Sequence, residues 1–170
     1  MTTRRRFLQV GIAGAAILIA GGALYRARRP TASRVLDDRG VELVTALAPV
    51  VLAGSLPTEP SARAEAIQEV IEAFGQAVAG LGPAVQSELH DLFGLLCFPP
   101  ARVALAGVWS PWNEAGESAI AGFLGRWRTS RFDLLRAGYQ ALTQLLQAAW
   151  YGNPRAWSAI GYSGPPTLPA

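Results

Sequence analysis

Side chains able to do chemistry are few, and their spacing excludes most of what enzymes do with them. The chain holds one histidine, one cysteine and one methionine, the initiator. His90 lies in Gln86-Ser87-Glu88-Leu89-His90-Asp91, where an imidazole beside carboxylates is the material of general acid–base catalysis. Residues one or two apart point in different directions around a helix, so Glu88, His90 and Asp91 do not converge there. The segment reads as a solvated helix face. Cys97, in Leu95-Leu96-Cys97-Phe98, has no second cysteine to pair with and reads as a buried, inert thiol. Haem attachment needs Cys-x-x-Cys-His, an iron–sulfur cluster needs several thiolates, and a zinc site needs three or four Cys, His or acidic ligands. None of these can be assembled, and there is no Gly-x-Gly-x-x-Gly or phosphate loop. The expectation is a chain with no catalytic residues, no metal site and no cofactor of its own.

The N-terminus carries a different kind of signal. Thr3-Arg4-Arg5-Arg6-Phe7-Leu8-Gln9 resembles a twin-arginine (Tat) export signal, Ser/Thr-Arg-Arg-x-Phe-Leu-Lys, with Gln9 in place of the usual Lys. An uncharged run of 16 residues from Val10 to Tyr25 follows, diluted by Gly11, Gly14, Gly21, Gly22 and five alanines. That is short of the ~20 residues a spanning helix needs. Arg26, Arg28 and Arg29 come directly after it, a charge that opposes Sec translocation and suits the Tat route. Gly21-Gly22-Ala23 and Thr31-Ala32-Ser33 both offer small residues for cleavage. Residues 1–33 are therefore expected to be a signal peptide or membrane anchor, and 34–170 a single domain in the periplasm or on the periplasmic side of the inner membrane.

The formal net charge of +3 belongs to this leader. All 15 basic residues are arginines, and six of them precede Arg34, where no acid is present. From Arg34 onward nine arginines face 12 Asp and Glu, a net charge of −3. Such a domain has no electrostatic footprint for nucleic acid. Charged residues make up 16% of the chain, below the ~25% usual in globular proteins. A surface so poor in charge suggests that something else covers part of it, although an alanine-rich helical domain has the same composition.

The periodicity after the leader is helical throughout. It predicts a helix from Asp37 to about Leu52, one capped by Ser61 and ending near Ala79, and one from Pro83 stopped by Pro99-Pro100. The third is expected to place Val85, Leu89, Leu92, Phe93 and Leu96 on one face. A short helical piece and a Trp109-Ser110-Pro111-Trp112 loop follow, then a helix from Asn113 or Ser118 to Thr129. Ser130 is expected to cap the longest helix, Arg131 to Tyr151, with Leu134, Leu135, Leu142, Leu145 and Leu146 inward. Asn153-Pro154 opens a last short helix stopped by Gly161. The fold class is all-α: an irregular bundle of about five or six helices after the signal helix, with an extended Pro/Gly-rich C-terminal tail.

Aromatic residues supply the remaining signal. Trp127-x-x-Ser130, then Tyr139, then Tyr151-Gly152-Asn153-Pro154-Arg155-Ala156-Trp157, then Gly161-Tyr162-Ser163-Gly164-Pro165-Pro166, resembles the gluconate 2-dehydrogenase subunit 3 family. Its members are small Tat-exported subunits accompanying flavin-dependent glucose–methanol–choline oxidoreductases. The resemblance implies a non-catalytic partner of a catalytic subunit that holds FAD and crosses the membrane with it through the Tat translocase. An electron-accepting cytochrome c subunit is a further partner of such complexes. Trp127, Ser130, Tyr151, Asn153, Pro154, Trp157, Gly161, Tyr162, Gly164 and Pro165 are the motif and candidate partner surface. Trp157 and Tyr162 read equally well as core aromatics, while the Gly-Pro-Pro strip suits lying across a partner.

Trp109 and Trp112 flank a Ser-Pro loop where aromatics are hard to bury, which makes them weaker interface candidates beside the alternative of packing over the bundle's end. The alternative to the accessory subunit is a self-standing periplasmic or membrane-tethered helical scaffold with no enzyme partner.

Overall fold

The computed structural model describes residues 36–157 and 160–164. The leader, with Arg4, Arg5, Phe7 and Leu8, lies outside the described residues, as does Pro165. Among the described residues every regular element is helical.

Helix α1 (Asp38–Val51) is the hub, in contact with α2 (Pro60–Ala79), α3 (Pro83–Cys97), α5 (Glu117–Arg128), α6 (Asp133–Tyr151) and a 3-10 turn at Trp112–Glu114. Its start follows from Asp37, whose carboxylate accepts the Gly40 N–H at 2.8 Å and faces the positive end of the helix. Its inward stripe of Leu43, Val44, Leu47 and Ala48 is buried. Each of the larger side chains contributes about 1.5–3 kcal/mol by leaving water. Pro49 cannot donate to the helix ladder, and α1 ends two residues after it.

The α2 and α6 helices pair most extensively, and their buried stripes meet α1 and each other. Ala66, Val70, Ile71, Phe74 and Val78 line α2, and Leu142, Leu146, Ala149 and Trp150 line α6. Phe74 stacks on Phe93 of α3 with ring centres 5.9 Å apart. Pro99-Pro100 ends α3 and starts α4 (Pro99–Ala101), which runs into a π-helical turn, Arg102–Ala106. The chain bends by 84° between α3 and this segment. A one-turn helix α7 (Pro154–Trp157) follows, and beyond it the structure describes a turn at Ile160-Gly161 and the irregular residues Tyr162 to Gly164.

The structure corrects several local expectations. Glu59, not Ser61, caps α2: its carboxylate accepts from the Ala62 N–H at 2.8 Å and from the Ser61 hydroxyl at 2.5 Å. The Ser61 bond foremost lowers the Glu59 pKa. Ser130 does not cap α6, which starts at Asp133; its hydroxyl accepts the Phe132 N–H at 3.1 Å in a local turn. At 20 residues α2 is longer than α6, which has 19. Leu134 is not inward but 81% exposed, because burial along α6 begins only at Gly138. Val85 is exposed for the same reason at the start of α3, where burial begins at Leu89.

Candidate functional site

The aromatic run divides into a buried half and an exposed half. Trp127 sits in the last turn of α5 and is 2% exposed. Its indole N–H donates to the Leu105 carbonyl at 2.8 Å, and its ring meets Phe123 edge-on at 4.8 Å. Gly138 of α6 makes room for it, since a Cβ there would lie 2.6 Å from the Trp127 ring. Trp112 is built in the same way. It donates to the Leu96 carbonyl at 2.9 Å and packs on Phe123 at 5.8 Å.

Both acceptors lie at the end of a helical segment, where carbonyls lack an intrahelical partner. Trp157 repeats the device on the Tyr151 carbonyl at the end of α6, at 2.9 Å. Three tryptophans thus cap helix C-termini, and this accounts for much of an aromatic content that the sequence offered to an interface. Trp150, also buried, has no acceptor for its indole N–H.

Trp112 is 3% exposed, so its expected place on a partner surface is overturned. A Ser-Pro loop fails to keep it in solvent because Pro111 starts the 3-10 turn that swings it onto α1 and the end of α3. Trp109, three residues earlier, is 82% exposed.

The exposed half is a hydrogen-bonded platform at the end of α6. Asn153 caps α7 by accepting the Arg155 N–H on Oδ1 at 2.9 Å, and its Nδ2 donates to Glu69 of α2 at 2.6 Å. Arg155 Nη1 donates to the other Glu69 oxygen at 2.9 Å, and Nη2 reaches Glu65 at 3.5 Å. These bonds, that to Glu69 first, raise the Arg155 pKa. The ring of Trp157 meets Tyr162 edge-on at 5.3 Å, and the Tyr162 N–H donates to the Trp157 carbonyl at 3.0 Å. Gly161 and Gly164 adopt φ of +67° and +100°, conformations that side-chain-bearing residues rarely take. A Cβ on Gly164 would also sit 3.1 Å from the Trp157 ring. The platform therefore brings Tyr151, Asn153, Pro154, Trp157, Gly161, Tyr162 and Gly164 together, and leaves Trp127 and Ser130 elsewhere on the α5–α6 side.

Tyr151, Ile160 and Tyr162 remain exposed on this platform, Tyr162 to 48%. Sequence reasoning missed Ile160 and the Glu65–Glu69–Arg155 clamp. Glu65 and Glu69 stand at i, i+4 on α2, a like-charge spacing that is unfavourable alone and signals a cation between them.

Elsewhere the chemistry is sparse. His90 and Asp91 are half-buried rather than fully solvated on α3. Among the described residues no group of three or more His, Cys, Asp or Glu side chains is arranged to hold a metal ion. Cys97 is half-buried and donates to the Arg39 carbonyl at 3.4 Å; burial, then the nearby Asp37 charge, pushes its thiol up to about 11. An open cleft of about 260 Å³ lies against α1, α5 and α6. Arg128, Tyr139, Thr143 and Gln147 line it, with Val50 and Leu124, but no His, Cys or carboxylate does. Thr143 spends its hydroxyl on the Tyr139 carbonyl at 2.8 Å. The cleft thus offers neither a nucleophile–base pair nor a carboxylate pair.

Comparison with family models, with curated proteins and with solved structures gave no match to this chain.

Proposed function

We propose that the chain is a non-catalytic small subunit that binds a flavin-dependent oxidoreductase catalytic subunit in the cytoplasm and carries it through the Tat pathway to the periplasm. The observation that carries this reading is the C-terminal platform. It gathers exposed Tyr151, Ile160 and Tyr162 beside the side-chain bonds of Asn153, Arg155 and Trp157. Exposed aromatics held rigid lose little entropy on docking, the property that makes tyrosine a recurrent anchor of interfaces. The leader supplies the second support. A route for folded, cofactor-loaded cargo is paired here with a chain whose one cysteine and one histidine build no cofactor site. FAD then belongs to the partner, and the chemistry is the partner's.

The test is export of the pair. Replacing Arg4 and Arg5 by Lys strands both proteins in the cytoplasm, as read by fractionation and by flavin absorbance in the periplasmic extract. A partner that still reaches the periplasm refutes carriage by this chain. A partner that is never found leaves the self-standing scaffold as the better reading.

A further inference from the structure

A second exposed apolar surface stands apart from the platform, at the corner where α3 turns into α4. Leu95, Phe98, Pro99 and Pro100 are all exposed there. The chain turns by 84° there. The only charged residue between Phe98 and Trp109 is Arg102, and it is buried. Its backbone N–H donates to the Phe98 carbonyl at 2.9 Å, and its guanidinium donates to the carbonyls of Val108 and Trp109, both at 3.3 Å. The one cation of the segment is thus spent inside, and in being spent it fastens the Trp109 backbone to the corner. The indole itself is left in solvent.

We propose that this corner seats in the lipid of the membrane to which the leader directs the chain, with Trp109 and Phe98 at the headgroup level. The corner lies beside the start of the folded domain: the Cys97 thiol donates to the Arg39 carbonyl at 3.4 Å, in the first turn of α1. Only residues 26–37 separate the apolar run ending at Tyr25 from α1, a length that spans at most about 40 Å fully extended. A leader in the bilayer keeps this end of the domain near it.

Trp with apolar neighbours, and with the exposed Arg126 guanidinium donating to the Ala106 carbonyl at its rim, is the composition of an interfacial seat. Exposed Leu95, Phe98, Pro99 and Pro100 carry no hydrogen-bonding side chain, which favours lipid over a polar protein surface. Asp37, Asp38 and Glu42, exposed on the first turns of α1 with Arg39 among them, limit entry to the corner itself. No single described helix is long and apolar enough to cross a membrane. The inference rests on the leader half of the reading above and not on the flavoprotein half.

The test uses the full chain with Cys97→Ala, labelled with an environment-sensitive fluorophore at Trp109→Cys or, as reference, at exposed Gln144→Cys on α6. Each is mixed with phosphatidylethanolamine–phosphatidylglycerol vesicles carrying nitroxide-labelled lipid. Several-fold stronger quenching and a blue shift at position 109, with little change at 144, is the expected result. Vesicle-bound chain with both positions unquenched overturns the lipid seat and leaves the leader as tether. Chain that does not bind vesicles overturns the seat and the membrane-directed leader together. Position 109 shielded from both lipid and aqueous quencher in chain purified with a partner assigns the corner to a protein interface instead.

Discussion

Trp127 and Tyr162 lie in the same run of aromatic residues, yet the fold uses them in opposite ways. Around Trp127 the indole N–H, the Phe123 edge and the glycine gap at position 138 are all directed inward, and nothing is left for a partner. Around Tyr162 the same ingredients are directed at holding a loop still. An indole N–H caps Tyr151, an edge-on ring contact fixes the tyrosine, and two left-handed glycines shape the chain, while the tyrosine itself faces solvent. Trp112 and Trp109 repeat the contrast three residues apart. An aromatic residue therefore does not declare its role by type. What decides is whether its polar atom and its ring both find partners inside.

Substitutions should separate the two regions. Trp127→Ala removes a fully packed indole and leaves the Leu105 carbonyl unpaired; it should cost about 3–5 kcal/mol in denaturant unfolding. A loss near zero would mean that Trp127 is not the core residue described. Gly138→Ala forces a methyl group into the Trp127 ring and should cost about 1–3 kcal/mol by the same measurement, without touching the platform. Tyr162→Ala belongs to the other region. Global stability should move by less than about 1 kcal/mol, since the residue is half in solvent. Partner affinity should fall about tenfold or more, as for an interface anchor. The reverse pattern would make the platform a structural device only.

The smallest effect concerns Cys97, between the corner and α1. With its thiol held near 11 rather than the ordinary 9.0, alkylation of the native chain at pH 8 should run roughly hundredfold slower than that of the unfolded chain. The sign of the pH dependence follows. Above about pH 9 the unfolded chain releases a proton that the native chain keeps until about pH 11, so stability falls as pH rises through that window. Fast native alkylation at pH 8 would contradict the burial of the thiol.

Much of this architecture was legible in the sequence where the cause is local. Asp37 opens α1, Pro83 opens α3, Pro99-Pro100 end it, and Asn153-Pro154 open α7, all through causes within a few residues. Helical periodicity likewise fixed the all-α class. The destinations of Trp112 and Trp127 were not legible, because their acceptors, Leu96 and Leu105, lie 16 and 22 residues away in sequence. Nor was the first turn of α6, where Leu134 keeps the helical period but burial begins only at Gly138. The platform's tyrosines were readable as a motif, but the clamp behind them joins residues more than eighty apart, Asn153 and Arg155 to Glu69.

The most direct test of the account is to capture the full chain from its host through a tag inserted in the exposed turn at Ala53-Gly54, away from the C-terminal residues. A stoichiometric yellow partner with a flavin spectrum is the expected result. The partner should be retained by the Trp109→Ser chain and lost from the Tyr162→Ala, Ile160→Ala chain. A chain recovered alone, or a flavoprotein held equally well by both variants, would contradict it.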